Sequence, residues 1–186
     1  MLDFLNKNEK ILHDNPELLE TFQGLMTYQK FKKNEIIHEA GHVCHHFYTI
    51  ISGISRVYYY KEDKDITCHF ALEQESFCAI DSLFSQNKSK YNIEALEDLE
   101  VFAINFNDLE NLFKKEPKYE HFGRLFMQQI YVELTERIDD LQLHTAKERY
   151  DLLQTKKPDL FKRVASKHIA SFLGMSAETF SRISGK

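Results

Sequence analysis

Ser166-Lys167-His168-Ile169-Ala170-Ser171-Phe172-Leu173-Gly174-Met175-Ser176-Ala177-Glu178-Thr179-Phe180-Ser181-Arg182-Ile183 is the stretch that decides how this chain is read. Its apolar residues recur at helical spacing on both sides of one glycine. Ile169 and Leu173 point a first helix inward, and Ala170 is small where a second helix would cross it. Gly174 can take the left-handed conformation that ends a helix, which a Cβ would penalise. Met175 plugs the turn, Ser176 caps the second helix, and Glu178 suits the positive end of its dipole. Phe180 and Ile183 bury that helix. An ordinary αα-hairpin would need the glycine and the stripe, but not Ala170 or the outward set Ala177, Glu178, Ser181 and Arg182. The segment therefore reads as a helix-turn-helix.

Upstream, residues from about 118 to 143 contain no proline and a single glycine, Gly123. Phe122, Phe126, Ile130, Leu134 and Ile138 recur every fourth residue, and Leu125 and Leu141 join them. This predicts an amphipathic helix of about 26 residues, roughly 39 Å long. That exceeds what one small domain covers, so Phe122, Phe126, Ile130, Leu134, Ile138 and Leu141 are expected to pair with a second copy. His144-Thr145-Ala146 is a polar hinge. A helix through Tyr150, Leu152 and Leu153 follows and ends at Lys156-Lys157-Pro158, after which 161–186 is helical with a break at Gly174.

The first part of the chain has a different texture. Residues 1 to about 29 read as short helices, one starting at Pro16 with Leu18, Leu19, Phe22, Leu25 and Met26 at helical spacing. From Phe31 to Ile104, β-branched and aromatic runs such as Phe47-Tyr48-Thr49-Ile50-Ile51 and Val57-Tyr58-Tyr59-Tyr60 alternate with turns at Gly41, Gly53 and 61–65. Seven or so short strands predict an antiparallel sandwich or jelly-roll barrel. Asn107 or Asp108 is expected to cap a further helix. The fold class is thus α+β, with a barrel over 1–117, a dimerisation helix over 118–143 and a helix-turn-helix domain over 144–186.

Composition supports a folded protein, with 42% apolar and 28% charged residues. The start of the chain lacks a basic region followed by an apolar run, and no stretch approaches the roughly 20 apolar residues of a membrane span. Cys44, Cys68 and Cys78 form no C-x-x-C pair. A cytoplasmic protein with reduced thiols and no membrane partner is expected. The net charge of −5 is unevenly spread. Residues 1–144 hold 15 Lys and Arg against 25 Asp and Glu, whereas 145–186 hold nine against four. A basic end on an acidic body is what phosphate neutralisation by one end requires.

Ser176-Ala177-Glu178-Thr179-Phe180-Ser181-Arg182-Ile183 resembles the recognition helix of the Crp/Fnr (catabolite activator) family, S-R-E-T-V-x-R-I, with Ala177 in place of its first arginine. Phe31-Lys32-Lys33-Asn34-Glu35-Ile36-Ile37, the Glu39-Ala40-Gly41 turn, Tyr48 to Gly53 and Ile93-Glu94-Ala95 resemble the family's cyclic-nucleotide-binding-like barrel. The layout is closest to the short Crp-like regulators of Bacteroidetes-type bacteria. The resemblance implies a homodimer that binds double-stranded DNA and works with RNA polymerase. Arg182 can donate twice to guanine and Glu178 can accept from cytosine. Lys167, His168, Ser176 and Thr179 are expected at phosphates, while Ala177 and Ser181 complete the DNA-facing set. The sequence given stops three residues after Ile183, so the family's winged hairpin is expected to be missing from it, whether naturally or by truncation.

Cyclic-nucleotide binders hold the ribose with Gly-Glu and the phosphate with an Arg-Ser-like pair. The corresponding stretch, residues 77–91, contains no glycine, and no arginine lies between Arg56 and Arg124. Ala79, Asp81, Ser82, Lys88, Ser89 and Lys90 form the candidate effector pocket, but without a planar two-pronged donor no cyclic nucleotide is expected. Another small effector, or none, is left open. His38, His42, Cys44 and His45 are the weak metal candidates. Their spacing misses the cupin pattern, and His45 and His46 point to opposite faces of a strand, so no metal is expected. No nucleophile–base pair or phosphate loop suggests an enzyme. The alternative reading is a barrel-based sensing or interaction module that does not bind DNA, with a cupin-type metalloprotein further behind.

Overall fold

The computed structural model describes residues 17–185. Helix α1 (Glu17–Gln23) buries Leu18 and Phe22. The chain then turns at once into strand β1 (Met26–Phe31). Leu25 and Met26, expected to continue the helix, instead leave it, because residues 26–31 pair with six of the seven residues of β8 (Leu99–Asn105). A six-residue ladder outweighs the weak local preference for helix. The helical reading of residues 1–16 lies outside the described residues.

Strands β2 (Ile36–His38), β3 (His46–Ser52), β4 (Ser55–Lys61), β5 (Lys64–Ala71), β6 (Ser76–Phe77) and β7 (Asn92–Ala95) complete two four-stranded sheets. Their orders are β1-β8-β3-β6 and β2-β7-β4-β5. The pairings are antiparallel. Alternation places Leu99, Val101 and Ala103 of β8 inward, against Ile50 of β3, Val57 of β4 and Ile93 of β7. Tyr48 stacks on Phe77 at 5.0 Å between ring centres. Gly53 turns β3 into β4 at φ +97°, where a Cβ would lie 2.6 Å from the Asp98 carbonyl oxygen. The fold is thus the antiparallel barrel with flanking helices that the strand pattern predicts.

Between β6 and β7 runs a one-turn helix, α2 (Ile80–Leu83). After β8 comes α3 (Phe106–Lys115), capped by Asn105 rather than by Asn107 or Asp108. The Asn105 side chain accepts from the Asn107 N–H at 2.9 Å. Helix α4 (Pro117–Leu143) has 27 residues and starts on proline, whose missing N–H costs nothing at that position. Phe113 of α3 rests on Gly123, where a Cβ would come 2.7 Å from its ring.

The apolar stripe of α4 divides between two environments. Phe122 is 6% exposed and packs with Leu18, Phe22, Ile104 and Tyr119. Phe126 meets Phe47 edge-on at 5.4 Å. Phe122 is therefore committed to its own chain and is corrected from the dimerisation set, while Phe126 and Ile130 face their own barrel, half-buried. Leu134, Ile138 and Leu141 are exposed, as are Tyr131, Val132 and Leu143. The helix outruns the barrel it packs on, and the second half of this face is left about half exposed, with Leu134 at 49%, Ile138 at 53% and Leu141 at 43%.

Helix α5 (Ala146–Lys156) opens with a capping box between Thr145 and Glu148. Next come α6 (Leu160–Arg163), α7 (Ser166–Phe172) and α8 (Ala177–Ser184). The chain is extended at Val164, so 161–186 breaks there as well as at Gly174. Ile169, Ala170, Leu173 and Phe180 close the corner, and Tyr150, Leu153 and Leu160 back it. Two barrel residues, Ile54 and Phe70, share that core.

Candidate nucleic-acid interface and the loop at residues 79–90

Gly174 ends the first helix of the corner at φ +64°. The Ser176 hydroxyl accepts from the Thr179 N–H at 3.2 Å and starts the second. This geometry turns Phe180 inward and leaves Ala177, Glu178, Ser181 and Arg182 exposed on α8, with Thr179 half-buried. Its own backbone N–H and the Ser176 hydroxyl hold the Glu178 carboxyl below its ordinary range, and Lys64 adds to this. Glu178 is therefore an ionised acceptor at neutral pH. Lys167 is exposed on α7.

His168 is placed differently. Expected at a phosphate, it is 7% exposed and faces the barrel. Its Nδ1 lies 2.7 Å from a guanidinium nitrogen of Arg56. The guanidinium can only donate, so this imidazole nitrogen must accept and the ring is neutral. Burial first, and then the Arg56 charge, lower the His168 pKa. Arg56 is 3% exposed. It also pairs with Glu94 at 2.6 Å and Asp65 at 2.9 Å, and donates to Thr67 at 3.2 Å. Its plane covers the Tyr58 ring at 4.0 Å.

Other contacts join the corner to the barrel. Ser171 Oγ accepts from the Thr67 N–H at 3.0 Å and donates to the Asp65 carbonyl at 3.2 Å. Arg163 binds both Glu73 and Glu97, at 2.7 and 2.5 Å. At the other end of α7, Arg137 donates to the Phe172 carbonyl and Arg149 to the Leu173 carbonyl at 2.8 Å. These cations sit where helix-terminal carbonyls concentrate negative charge. The corner is thus held from both sides. Sequence reasoning missed this clamp, whose one visible sign was a charged Arg56 inside the apolar run of β4.

The loop at 79–90 is filled by its own side chains. Asp81 accepts from Ser89 Oγ at 2.7 Å and from the Lys90 N–H at 3.1 Å. Ser82 Oγ accepts from the Cys44 N–H at 2.8 Å and donates to the Asn87 carbonyl. Ala79 is buried, while Lys88 and Lys90 are exposed, with the Lys90 ammonium over the Tyr91 ring at 5.1 Å. The Asp81 carboxylate takes these loop donors, and residues 79–90 include no arginine that could hold a cyclic phosphate. These residues do not fit a cyclic nucleotide.

The histidine-rich segment does not converge either. Cys44 is buried and its thiol contacts the His46 carbonyl at 3.4 Å, whereas His42 and His45 are exposed. His38 Nε2 is buried without a hydrogen-bond partner among the described residues, and burial lowers its pKa. Among the described residues, no three His, Cys, Asp or Glu side chains come together as a metal site. No helix among them is long and apolar enough to cross a membrane.

Residues 28–116 match the family model for the cyclic nucleotide-binding domain. No curated protein sequence matches the chain. Among solved structures, FixK2 from Bradyrhizobium japonicum superimposes with a TM-score of 0.70 at 20% identity, covering 86% of this chain and 83% of its own. A protein described as a Crp/Fnr-family transcriptional regulator from Eubacterium rectale gives 0.67 at 18%, covering 92% and 83%. The Thermus thermophilus catabolite activator protein gives 0.51 at 20%, covering 91% and 82%. Residues 28–116 are thus similar to the cyclic nucleotide-binding domain, and the chain shares its overall fold with these three solved structures.

Proposed function

We propose that this protein is a sequence-specific, dimeric DNA-binding transcription regulator of the Crp/Fnr type that does not use a cyclic nucleotide as its effector. The observation carrying this reading is the helical corner at 166–184, which buries Ile169, Leu173 and Phe180 and leaves Glu178 and Arg182 on one exposed face. In this reading residues 1–117 sense, 118–143 dimerise through Leu134, Ile138 and Leu141, and 144–186 bind DNA. Two α8 helices then enter successive major grooves about 34 Å apart on a near-palindromic site. Arg182 reads guanine and Glu178 cytosine, while Lys167 and the start of α8 hold phosphates.

A gel-shift titration against the gene's own upstream region tests this, with salt varied at each protein concentration. Arg182→Ala should weaken binding to the matched site by about 10- to 100-fold and flatten the preference over a scrambled site, as expected for roughly 1–3 kcal/mol of base discrimination. Lys167→Ala should weaken both sites alike and reduce the salt slope by about one. Identical behaviour of the two variants on both sites would refute the assigned roles. Absence of any salt-dependent shift would favour the sensing or interaction module.

A further inference from the structure

Binding to a phosphate backbone draws on cations that no carboxylate already compensates. Residues 145–186 carry the basic excess of the chain, yet most of it is matched within the fold. Lys147 holds Asp151 at 2.6 Å, Lys156 holds Glu136 at 3.4 Å, Lys157 holds Glu75 at 2.6 Å and Lys162 holds Asp159 at 3.0 Å. Arg163 is shared by Glu73 and Glu97, and Arg149 donates to the Leu173 and His144 carbonyls. His168 is turned to Arg56. Among the described residues of this segment, Lys167 and Arg182 alone are exposed cations with no carboxylate within salt-bridge distance.

The barrel brings further cations to the same place. Strands β4 and β5 are joined by the two-residue turn Glu62-Asp63, with φ of 49° and 61°. Both turn residues having positive φ makes this a tight hairpin whose twist matches its strands. Lys61 and Lys64 lie directly opposite each other at its tip, and both are exposed. Residues opposite in a ladder share a face, where two like charges repel. An anion lying across both would relieve that cost.

The residues that follow the tip fix it against the helical corner. The Asp65 carbonyl accepts from Ser171 Oγ at 3.2 Å, and the same oxygen accepts from the Thr67 N–H at 3.0 Å. Strand β5 is the outer strand of its sheet, so Ser171 covers the edge that a further strand would use. Lys167 lies within electrostatic reach of the Asp65 carboxyl, and Lys64 within reach of Glu178. Lys64 thus stands beside the start of α8, and Asp65 next to it stands beside the start of α7. Helix starts are where a helix-turn-helix meets the phosphates. Glu62 and Asp63 make the tip neutral overall, so the two lysines act at contact distance rather than by long-range attraction.

We propose that the β4–β5 hairpin is part of the DNA interface, with Lys64, and Lys61 opposite it, on backbone phosphates beside those held by Lys167 and the start of α8. The contact reads no bases. It ties the barrel itself to the duplex, so barrel and corner bind DNA as one body. The inference rests on the DNA reading proposed above.

Lysine acetylation of the full chain by N-hydroxysuccinimidyl acetate, with and without the upstream duplex and read by mass spectrometry, tests the contact. Saturating duplex should slow modification of Lys64 at least about threefold, as it slows that of Lys167, and leave Lys114 on α3 unchanged. In anisotropy titrations at about 0.1 M salt, Lys64→Gln should bind matched and scrambled duplexes about three- to tenfold more weakly. Its slope of log affinity against log salt should fall by about one. Lys64→Arg should keep the slope, and Lys114→Gln should match wild type. Lys61→Gln combined with Lys64→Gln should lose more than Lys64→Gln alone. Equal acetylation of Lys64 with and without duplex while Lys167 is protected, or an unchanged salt slope in Lys64→Gln, would overturn the hairpin contact and leave the DNA reading standing. Absence of salt-dependent binding by the wild-type chain would overturn both.

Discussion

His168→Gln and His168→Ala, followed with pH, probe the contact that ties the first helix of the corner to the barrel. The wild-type ring accepts from a buried Arg56 guanidinium at 2.7 Å. Removing the acceptor leaves a charged donor short of a partner, a loss of about 2–3 kcal/mol, although Glu94, Asp65 and Thr67 still hold the other nitrogens. Protonating the ring removes the acceptor and sets a second cation about 4 Å from the guanidinium charge, worth about 4 kcal/mol of repulsion at an effective dielectric near 20. Asp65, 3.9 Å from the same nitrogen, offsets part of it, and Lys167 adds to it. The His168 pKa is lowered from 6.5 in the folded state. The unfolded chain therefore takes up the proton first as the pH falls. The ring's contribution is complete above about 6.5 and declines below it, by at most ~1.4 kcal/mol per pH unit for one proton. Urea denaturation at a series of pH values reads this. His168→Gln keeps an acceptor but does not titrate, so its stability should fall less steeply than wild type below pH 6.5 (the ring's ordinary value). His38, His46 and His69 also have lowered pKa values and contribute equally to both proteins. His168→Ala should cost about 2–3 kcal/mol at pH 8, and less as the wild type itself weakens in acid. Parallel curves for wild type and His168→Gln, or an alanine cost that grows in acid, would refute the contact's role.

Other outcomes follow from single positions. Gly53→Ala should cost at least about 3 kcal/mol in denaturant titrations, since a Cβ at positive φ would lie 2.6 Å from the Asp98 carbonyl oxygen. Arg163→Ala should cost about 1–2 kcal/mol at neutral pH, a figure discounted because Glu73 and Glu97 are partly exposed. Arg163 holds the Glu73 pKa down to about 2, so in wild type this contribution is complete above about 4.5 and is lost as the pH falls toward 2. The variant's deficit should therefore shrink in acid. Leu134→Glu with Ile138→Glu places two charges on the exposed half of α4 and should shift sedimentation toward the monomer with little change in helix content, as the proposed dimer requires.

Much of the architecture could be read from local pattern. The corner at 166–183 is a short-range object: Gly174 must take positive φ, Ser176 must cap, and Ile169, Leu173 and Phe180 must share a side, all within one short stretch of chain. The length of α4 needs only the absence of breakers, and strands announce themselves by alternation and β-branching. For the same reason Glu178 and Arg182 could be placed on an exposed face before any packing was known.

Tertiary structure decided what adjacent residues do when a helix is packed on more than one side. Lys167 and His168 are neighbours about 100° apart on α7, and only the docking of α7 on β5 turns one to solvent and the other to Arg56. Periodicity places Phe122 and Ile138 on one stripe. The barrel ends partway along the helix, so one is 6% exposed and the other 53%. Residues 26–31 become a strand because β8 offers them a complete ladder. Asp81 fills its own loop because chain reversal brings Ser89 and the Lys90 amide back to it. Helix periodicity and turn chemistry are properties of a few consecutive residues. Which side of a residue meets protein depends on partners distant in sequence, and only the folded chain supplies them.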